Sequence, residues 1–328
     1  MTLLRVDNLA RTFSARTGSG LTARRSDVRA VDGVSFDVSA GETLALVGES
    51  GCGKSTLGRL ILRLIEPSEG EVHFGGVRLT GLAPEAMRAM RRRMQMVFQD
   101  PYGSLSPRRT IAEIISEPLE VFGPAGSRKD GRDKVAALLQ QVGLSPSVMD
   151  RHPRQFSGGQ RQRIGIARAI AMDPEFIVAD EPVSALDVSV QAQIINLMQD
   201  LQEQRGLAYL FIAHDLAVVR HIADRVAVMY LGRIVEIGHK DAIYRYPHHP
   251  YTQALLSAAP EPDPDRASRQ IILQGDVPSP TSMPLGCGFA SRCPIATVRC
   301  TAERPPLVTV SDGQAAACHF ARPNPIPV

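Results

Sequence analysis

The sequence has no uninterrupted run of about 18 apolar residues and no charged N-terminal region followed by an apolar stretch. These absences lead to the expectation of a protein made and kept in the cytoplasm, whose membrane association goes through partners. Net charge is also low, at +3, without the basic stripe that a nucleic-acid binder carries. No heptad pattern is sustained, so coiled-coil arms are not expected. Cysteine is scarce as well: of five, only Cys52 lies outside the last 42 residues. What remains is 328 residues at 44% hydrophobic, enough to core one large domain or two smaller ones.

The chain is organised around GESGCGKST, Gly48 to Thr56, which fits the phosphate-loop pattern G-x-x-x-x-G-K-[ST]. The apolar run Thr43 to Val47 before it reads as a buried strand. After it, Ser55 to Ile65 carries leucines and isoleucines at helical spacing. A motif set between a strand and a helix N-terminus can wrap backbone N–H groups around phosphate oxygens, and the helix dipole adds to the attraction. Lys54 is expected on the β- and γ-phosphates and Ser55 on Mg²⁺. Nucleotide-binding positions are therefore Gly48, Ser50, Gly51, Cys52, Gly53, Lys54, Ser55 and Thr56. Beside Lys54 at a helix start, the Cys52 thiol is expected to be acidified and reactive, with MgATP protecting it from maleimides.

Upstream, Leu3 to Leu9 alternates as an edge strand and Val31 to Val38 as a second strand, with a polar, basic, flexible excursion between them at 14–29. Phe13, just before it, is the candidate for stacking on adenine, with an ordinary core Phe as the alternative. Downstream, strands are expected at Glu71 to Phe74 and Gln95 to Phe98. The second delivers Gln99 to a strand end, where it can reach Mg²⁺ and the attacking water. Residues 104 to about 172 read as a helical insertion, with helices at Ile111 to Leu119, Lys134 to Val142 and Arg161 to Ala171. The last is opened by Ser157, Gly158, Gly159 and Gln160, a second phosphate-type nest. The strand Phe176 to Ala179 then ends at Asp180 and Glu181, a Walker-B arrangement with Asp180 for Mg²⁺ and Glu181 to polarise water. A helix at Val188 to Gln204 leads to a strand, Tyr209 to Ala213, that ends at His214, placed to hold the γ-phosphate and the water in line.

Six motifs, GESGCGKST, the Gln99 loop, SGGQ, FIVADE, SALD and His214, together resemble an ATP-binding cassette (ABC) ATPase over about residues 1–240. The resemblance implies an α/β fold: a RecA-like core, an antiparallel β subdomain and the helical subdomain at about 104–172. It also implies head-to-tail pairing, in which SGGQ of one cassette covers ATP on the other. VFQDPYGSLSPR, DEPVSALDVSVQAQ, YLGRIVEIG and HHPYTQALLSAAP narrow the likeness to the ATPase subunits of oligopeptide/dipeptide importers, nearer the F-type than the D-type. Phe156 departs from the family's usual Leu. Implied partners are a second, D-type ATPase subunit, two membrane permease subunits and an extracytoplasmic substrate-binding protein, with the chain peripheral at the cytoplasmic face of the inner membrane and no nucleic acid. A soluble ABC ATPase acting on nucleic acid or ribosomes is the alternative, and a metal-binding regulator in which the cassette is only a switch is a third reading.

Residues 241–328 form an extension of different character. Prolines cluster from Pro260 to Pro284, and then Cys287, Cys293, Cys300 and Cys318 follow in the spacing C-x5-C-x6-C-x17-C. Four thiols in a reducing compartment suggest metal rather than disulfides. The spacing leaves a [4Fe-4S] cluster, zinc and buried thiols all open. The resemblance of CGFASRCP to the importer extension favours the cluster, in a structural role.

Overall fold

The computed structural model describes residues 1–17, 24–122, 128–258, 270–276, 278–279 and 283–321. In chain order the first strands and helices are β1 (Thr2–Thr17), β2 (Arg24–Ser39), β3 (Thr43–Val47), α1 (Lys54–Ile61), β4 (Glu69–Phe74), β5 (Val77–Arg78), α2 (Pro84–Arg91) and β6 (Met94–Val97). Next come α3 (Pro101–Ser104), α4 (Ile111–Phe122), α5 (Arg128–Gln141), α6 (Gly158–Ile170), β7 (Phe176–Asp180), α7 (Val188–Arg205), β8 (Ala208–Ala213) and α8 (Leu216–Ile222). The chain then forms β9 (Arg225–Tyr230), β10 (Arg233–His239), α9 (Lys240–Arg245), α10 (Pro250–Ser257), α11 (Val298–Ala302), β11 (Val308–Ser311) and β12 (Gln314–Ala316). Contacts divide it into two compact units.

One unit comprises Met1, residues 39–43 and residues 81–213. Its strands β6, β7 and β8 pair in parallel. Every residue of FIVAD and AYLFIA is buried, as the strands of a parallel sheet covered on both faces require. The helical insertion belongs here: α4 and α5 pack on α6, and Ile111, Ile115 and Leu139 of the first two and Ile164 of the third are fully buried. Helix α6 starts one turn earlier than its apolar spacing suggests, because Ser157 caps it. The hydroxyl accepts from the Gln160 N–H at 3.3 Å, and the Gln160 side-chain oxygen accepts from the Ser157 N–H at 3.1 Å.

The other unit comprises residues 2–38, 44–80 and 214–328. An antiparallel sheet runs in the order β2-β1-β4-β5, so β1 is an interior strand rather than the expected edge. Its Leu4, Val6 and Leu9 are buried, with the alternation broken at Asn8 (φ 47°), and its polar end continues through Thr17, while β2 begins at Arg24. Backbone pairing carries both strands into most of the stretch read as flexible, and 18–23, its remainder, lies outside the described residues. A second sheet pairs β3 with β9 in parallel and continues antiparallel through β10, β12 and β11. The extension therefore contributes two strands beside β10. A two-residue turn joins β9 and β10, with Leu231 at φ 44° and Gly232 at φ 78°, the double left-handed geometry that suits the twist of a tight hairpin. Helix α1 stops at Ile61, four residues short of its apolar pattern, where Arg63 turns to φ 48°.

Candidate nucleotide site

The phosphate loop leaves β3 at Val47 and enters α1 at Lys54, as its spacing predicts. Glycine is demanded at two of its positions by close backbone approach. A Cβ on Gly48 would lie 2.2 Å from the Met229 carbonyl oxygen. One on Gly53, at φ 108°, would lie 2.2 Å from that of Ala30. The β9–β10 turn steadies the loop from one side, the Gly232 N–H donating to the Cys52 carbonyl at 2.8 Å. Lys54 is 4% exposed, and its ammonium donates to the carbonyls of Gly48 (2.7 Å) and Glu49 (3.0 Å), so the charge stands across the loop. These features fit a nucleotide phosphate: a glycine-built concavity, a helix N-terminus and one fixed cation. Ser50 and Gly51 form the exposed tip, while Ser55 and Thr56 begin the helix. His214 closes β8 in sequence and precedes α8, whose first turn is capped by Asp215.

Cys52 corrects an expectation. Its side chain is almost fully buried, and burial raises the thiol pKa by more than the nearby Lys54 charge lowers it. The thiol is accordingly neutral and shielded at neutral pH. N-ethylmaleimide should modify Cys52 of the native protein at least about tenfold more slowly than it modifies glutathione. Mass spectrometry of the Cys52 peptide reads this directly; equal rates would contradict the burial.

Support from the distant C-terminal segment is what sequence reasoning missed. The Glu49 N–H donates to Tyr251 Oη at 2.9 Å, and the Glu49 carboxylate accepts from Arg292. Tyr230, Tyr251 and Phe289, each no more than 2% exposed, pack with ring centroids 4.6–5.4 Å apart. Burial pushes the His249 pKa down to about 3, so the ring is neutral and its Nδ1 accepts from the Tyr251 N–H at 3.1 Å. Beneath this helix start Glu236, fully buried, accepts from the N–H groups of His248 (2.7 Å) and His249 (3.0 Å) and from the Gln314 amide (2.8 Å). The His248-His249-Pro250-Tyr251 run was the available signal, but nothing in its spacing tells which loop it braces.

In the other unit, β7 ends with Asp180 at 1% exposure, and Glu181 follows at φ 45°. A non-glycine residue in the left-handed region costs of order 1–3 kcal/mol and is kept where the surroundings fix it. Here the Glu181 N–H donates to the Ile212 carbonyl at 3.0 Å, and the Ser184 hydroxyl donates to the Glu181 carbonyl at 3.1 Å. The Gln99 side-chain amide donates to Glu181 Oε2 at 2.8 Å, which joins two residues picked independently from the sequence. Asp187 caps α7 by accepting from the Val190 N–H at 2.9 Å, and that bond, with one from the Ser189 hydroxyl, holds its carboxyl below the usual range. Past Gln99, the chain is tied to the helix that follows SGGQ. The Arg161 guanidinium lies 3.7 Å from the Tyr102 ring centre, and Arg168 donates to the Ser104 carbonyl at 2.7 Å. Phe156 is buried under the Arg151 guanidinium. Phe13 has the Arg11 guanidinium 4.8 Å from its ring centre, so one face of the candidate adenine platform is taken.

Comparison with known proteins matches residues 31–184 to the family ABC transporter and residues 235–300 to the C-terminal region of oligopeptide/dipeptide transporters. The chain is 56% identical over 321 residues to a Sinorhizobium fredii protein named "Probable peptide ABC transporter ATP-binding protein y4tS", covering 98% of this chain and 90% of that one. This chain is an ABC transporter ATP-binding protein of the oligopeptide/dipeptide family. Escherichia coli OppF, named an oligopeptide transport ATP-binding protein, is 54% identical over 85% of this chain and 84% of its own. A dimeric structure of the ATP-binding cassette MJ0796, in a post-hydrolysis state bound to ADP and Pi, superposes with a TM-score of 0.64 at 29% identity. It covers 73% of this chain and 99% of that one. The fold is that of an ABC cassette, and ATP is its nucleotide. Among the described residues no helix is long and apolar enough to cross a membrane.

The four C-terminal cysteines, three of them within the matched transporter C-terminal region, do come together. Cys287, Cys293, Cys300 and Cys318 line one small cavity with His249, Phe289 and Phe320. The Cys287 N–H donates to the Cys300 carbonyl at 2.7 Å, and the Phe320 N–H donates to Cys318 Sγ at 3.4 Å. Burial raises the thiols of Cys287 and Cys293 and takes Cys318 up to about 11. Among the described residues, however, no three His, Cys, Asp or Glu side chains converge on one metal-ion position. The structure thus gathers the four cysteines expected to hold a metal, but it does not support the expected [4Fe-4S] cluster or zinc.

Proposed function

We propose that this chain is the ATP-hydrolysing subunit that powers peptide import through a membrane ABC transporter, held peripherally at the cytoplasmic face of the inner membrane. The observation that carries the reading is the phosphate loop, with Lys54 stretched across it, in a chain that aligns almost end to end with peptide-transport ATPases. Likeness to OppF favours the F-type role beside a D-type cassette, with residues 1–240 as the cassette and 241–328 as the extension.

Lys54 and the loop N–H groups hold the β- and γ-phosphates. Ser55, Asp180 and Gln99 would hold Mg²⁺, which neutralises charge on the transferring phosphoryl oxygens. Glu181, kept in place by the Gln99 amide, takes the proton of the attacking water, and His214 orients that water against the γ-phosphate. Ser157, Gly158, Gly159 and Gln160 present a helix N-terminus to the nucleotide of the partner cassette; the capping box engages the side chains and N–H groups of Ser157 and Gln160, leaving the N–H groups of Gly158 and Gly159 to face phosphate. The dimeric cassette structure supports this pairing. ATP stabilises the closed pair, and hydrolysis returns it to the open population. Residues 100–109, braced on α6 by Arg161 and Arg168, carry the motion to two permease subunits, which an extracytoplasmic binding protein supplies with peptide. Nucleic acid has no role.

The same reading gives the four cysteines a [4Fe-4S] cluster in a structural role. What supports the reading is that Cys287, Cys293, Cys300 and Cys318 line one cavity, and four cysteine thiolates are the ligand set of such a cluster.

One preparation tests both parts. The chain alone should hydrolyse ATP slowly, and adding the second cassette with the permeases should raise the rate about tenfold or more, an ordinary magnitude for coupling between sites. RNA or DNA should not substitute. Full activity in the isolated chain would overturn the transport reading. Purified without oxygen, the chain should carry about four irons and four sulfides, lost in Cys300→Ser; zinc, or neither metal, would overturn the cluster alone.

A further inference from the structure

The loop that carries Cys287 and Cys293 ends at the phosphate loop. Arg292, adjacent to Cys293, points its guanidinium at Glu49, with one nitrogen 3.0 and 2.9 Å from the two carboxylate oxygens and 3.4 Å from Tyr230 Oη. Its side chain is 9% exposed and that of Glu49 is 27% exposed, so water screens the pair only in part. Among the described residues the buried Arg292 Nε has no partner of its own. The guanidinium thus makes its interactions through Glu49 and Tyr230 rather than through solvent.

Glu49 is chemically out of place. Its own carbonyl accepts from Lys54, so the residue sits inside a device that collects phosphate by positive potential. A carboxylate there opposes a triphosphate and competes for Lys54. Tyr251 fixes its backbone, and Arg292 engages both carboxylate oxygens.

We propose that Arg292 is a positioning residue for nucleotide binding: from the C-terminal extension it neutralises Glu49 and holds that carboxylate off the nucleotide phosphates. The proposal rests on the reading that Gly48 to Thr56 binds ATP. It makes the extension a component of the nucleotide site and not only a neighbour of the cassette. Removing the cation restores the repulsion, whereas removing both charges does not. A purely structural contact would behave differently, because deleting both partners would then be no better than deleting one.

The test is MgATP and MgADP binding by titration calorimetry on the full chain, wild type beside Arg292→Gln, Arg292→Lys and the double variant Glu49→Gln/Arg292→Gln, with thermal melts as the folding control. Arg292→Gln should weaken MgATP about tenfold, the scale of one uncompensated charge at a partly screened site, and weaken MgADP less. The deficit should shrink in high salt. Arg292→Lys should stay near wild type, and the double variant should regain most of the lost affinity. In the assembled transporter Arg292→Gln should raise KM for ATP more than it lowers kcat. Unchanged MgATP affinity in Arg292→Gln, or a double variant no better than the single one, would overturn the proposal. Failure of wild type to bind MgATP would instead overturn the nucleotide reading beneath it.

Discussion

Replacing Glu181 with Gln is expected to lower ATP turnover of the assembled transporter about 10³-fold, within the range for loss of a general base, while leaving MgATP affinity within a few-fold of wild type. The side chains are nearly isosteric, so the positive-φ backbone, the N–H bond to Ile212 and the Ser184 contact can persist. What disappears is the carboxylate that accepts from Gln99 and would take a proton from water. With binding retained and cleavage stopped, the variant should accumulate as an ATP-bound pair with its partner cassette, visible as a shift in size-exclusion chromatography. Turnover within tenfold of wild type would remove Glu181 from the base role and shift attention to His214.

Lys54→Ala should fail at the earlier step. Two charge-assisted hydrogen bonds to phosphate are worth about 1.5–3 kcal/mol each, so MgATP affinity should fall about 10²-fold or more, and turnover with it. The ammonium now satisfies the carbonyls of Gly48 and Glu49. A loop deprived of it must find water for them, which the exposed tip at Ser50 and Gly51 allows. Melting temperature should therefore change by only a few degrees. Calorimetry separates the two variants: Lys54→Ala loses the binding heat, whereas Glu181→Gln keeps it and loses catalysis. A Lys54→Ala protein that binds MgATP like wild type would exclude the phosphate-cradle role.

The parts of the fold that could be read in advance are those whose reason is local. TLALV, FIVAD and AYLFIA are buried throughout and mostly apolar because a parallel strand is covered on both faces, and their ends are marked by Gly48, Glu181 and His214. The existence of α6 was legible from its apolar spacing, but its first turn was not, because that turn is set by the Ser157–Gln160 capping box and not by apolar residues. Strand lengths around the 18–23 stretch were not, since backbone pairing extends β1 and β2 through polar residues without any alternation of apolar ones. Strands β11 and β12 are too short to rise above a proline- and cysteine-rich background. The bond between residues 49 and 292 lies outside anything that periodicity records. Cys52 shows the same limit at one atom: its neighbour Lys54 can be read from the motif, but its burial cannot, and burial decides the thiol's chemistry.

Glu236 has a consequence for where such a chain can be divided. Its carboxylate lies in β10 of the cassette sheet, yet what it holds is the turn into α10 and the amide of Gln314 in β12. A protein ended at His239 would keep every nucleotide motif but lose all three partners of this carboxylate and the strand beside β10, leaving β10 as an unpaired sheet edge. The transporter C-terminal region is thus no removable tail. Gene fusions and shortened homologues of this cassette that dispense with it should be found to carry an uncharged residue where Glu236 stands.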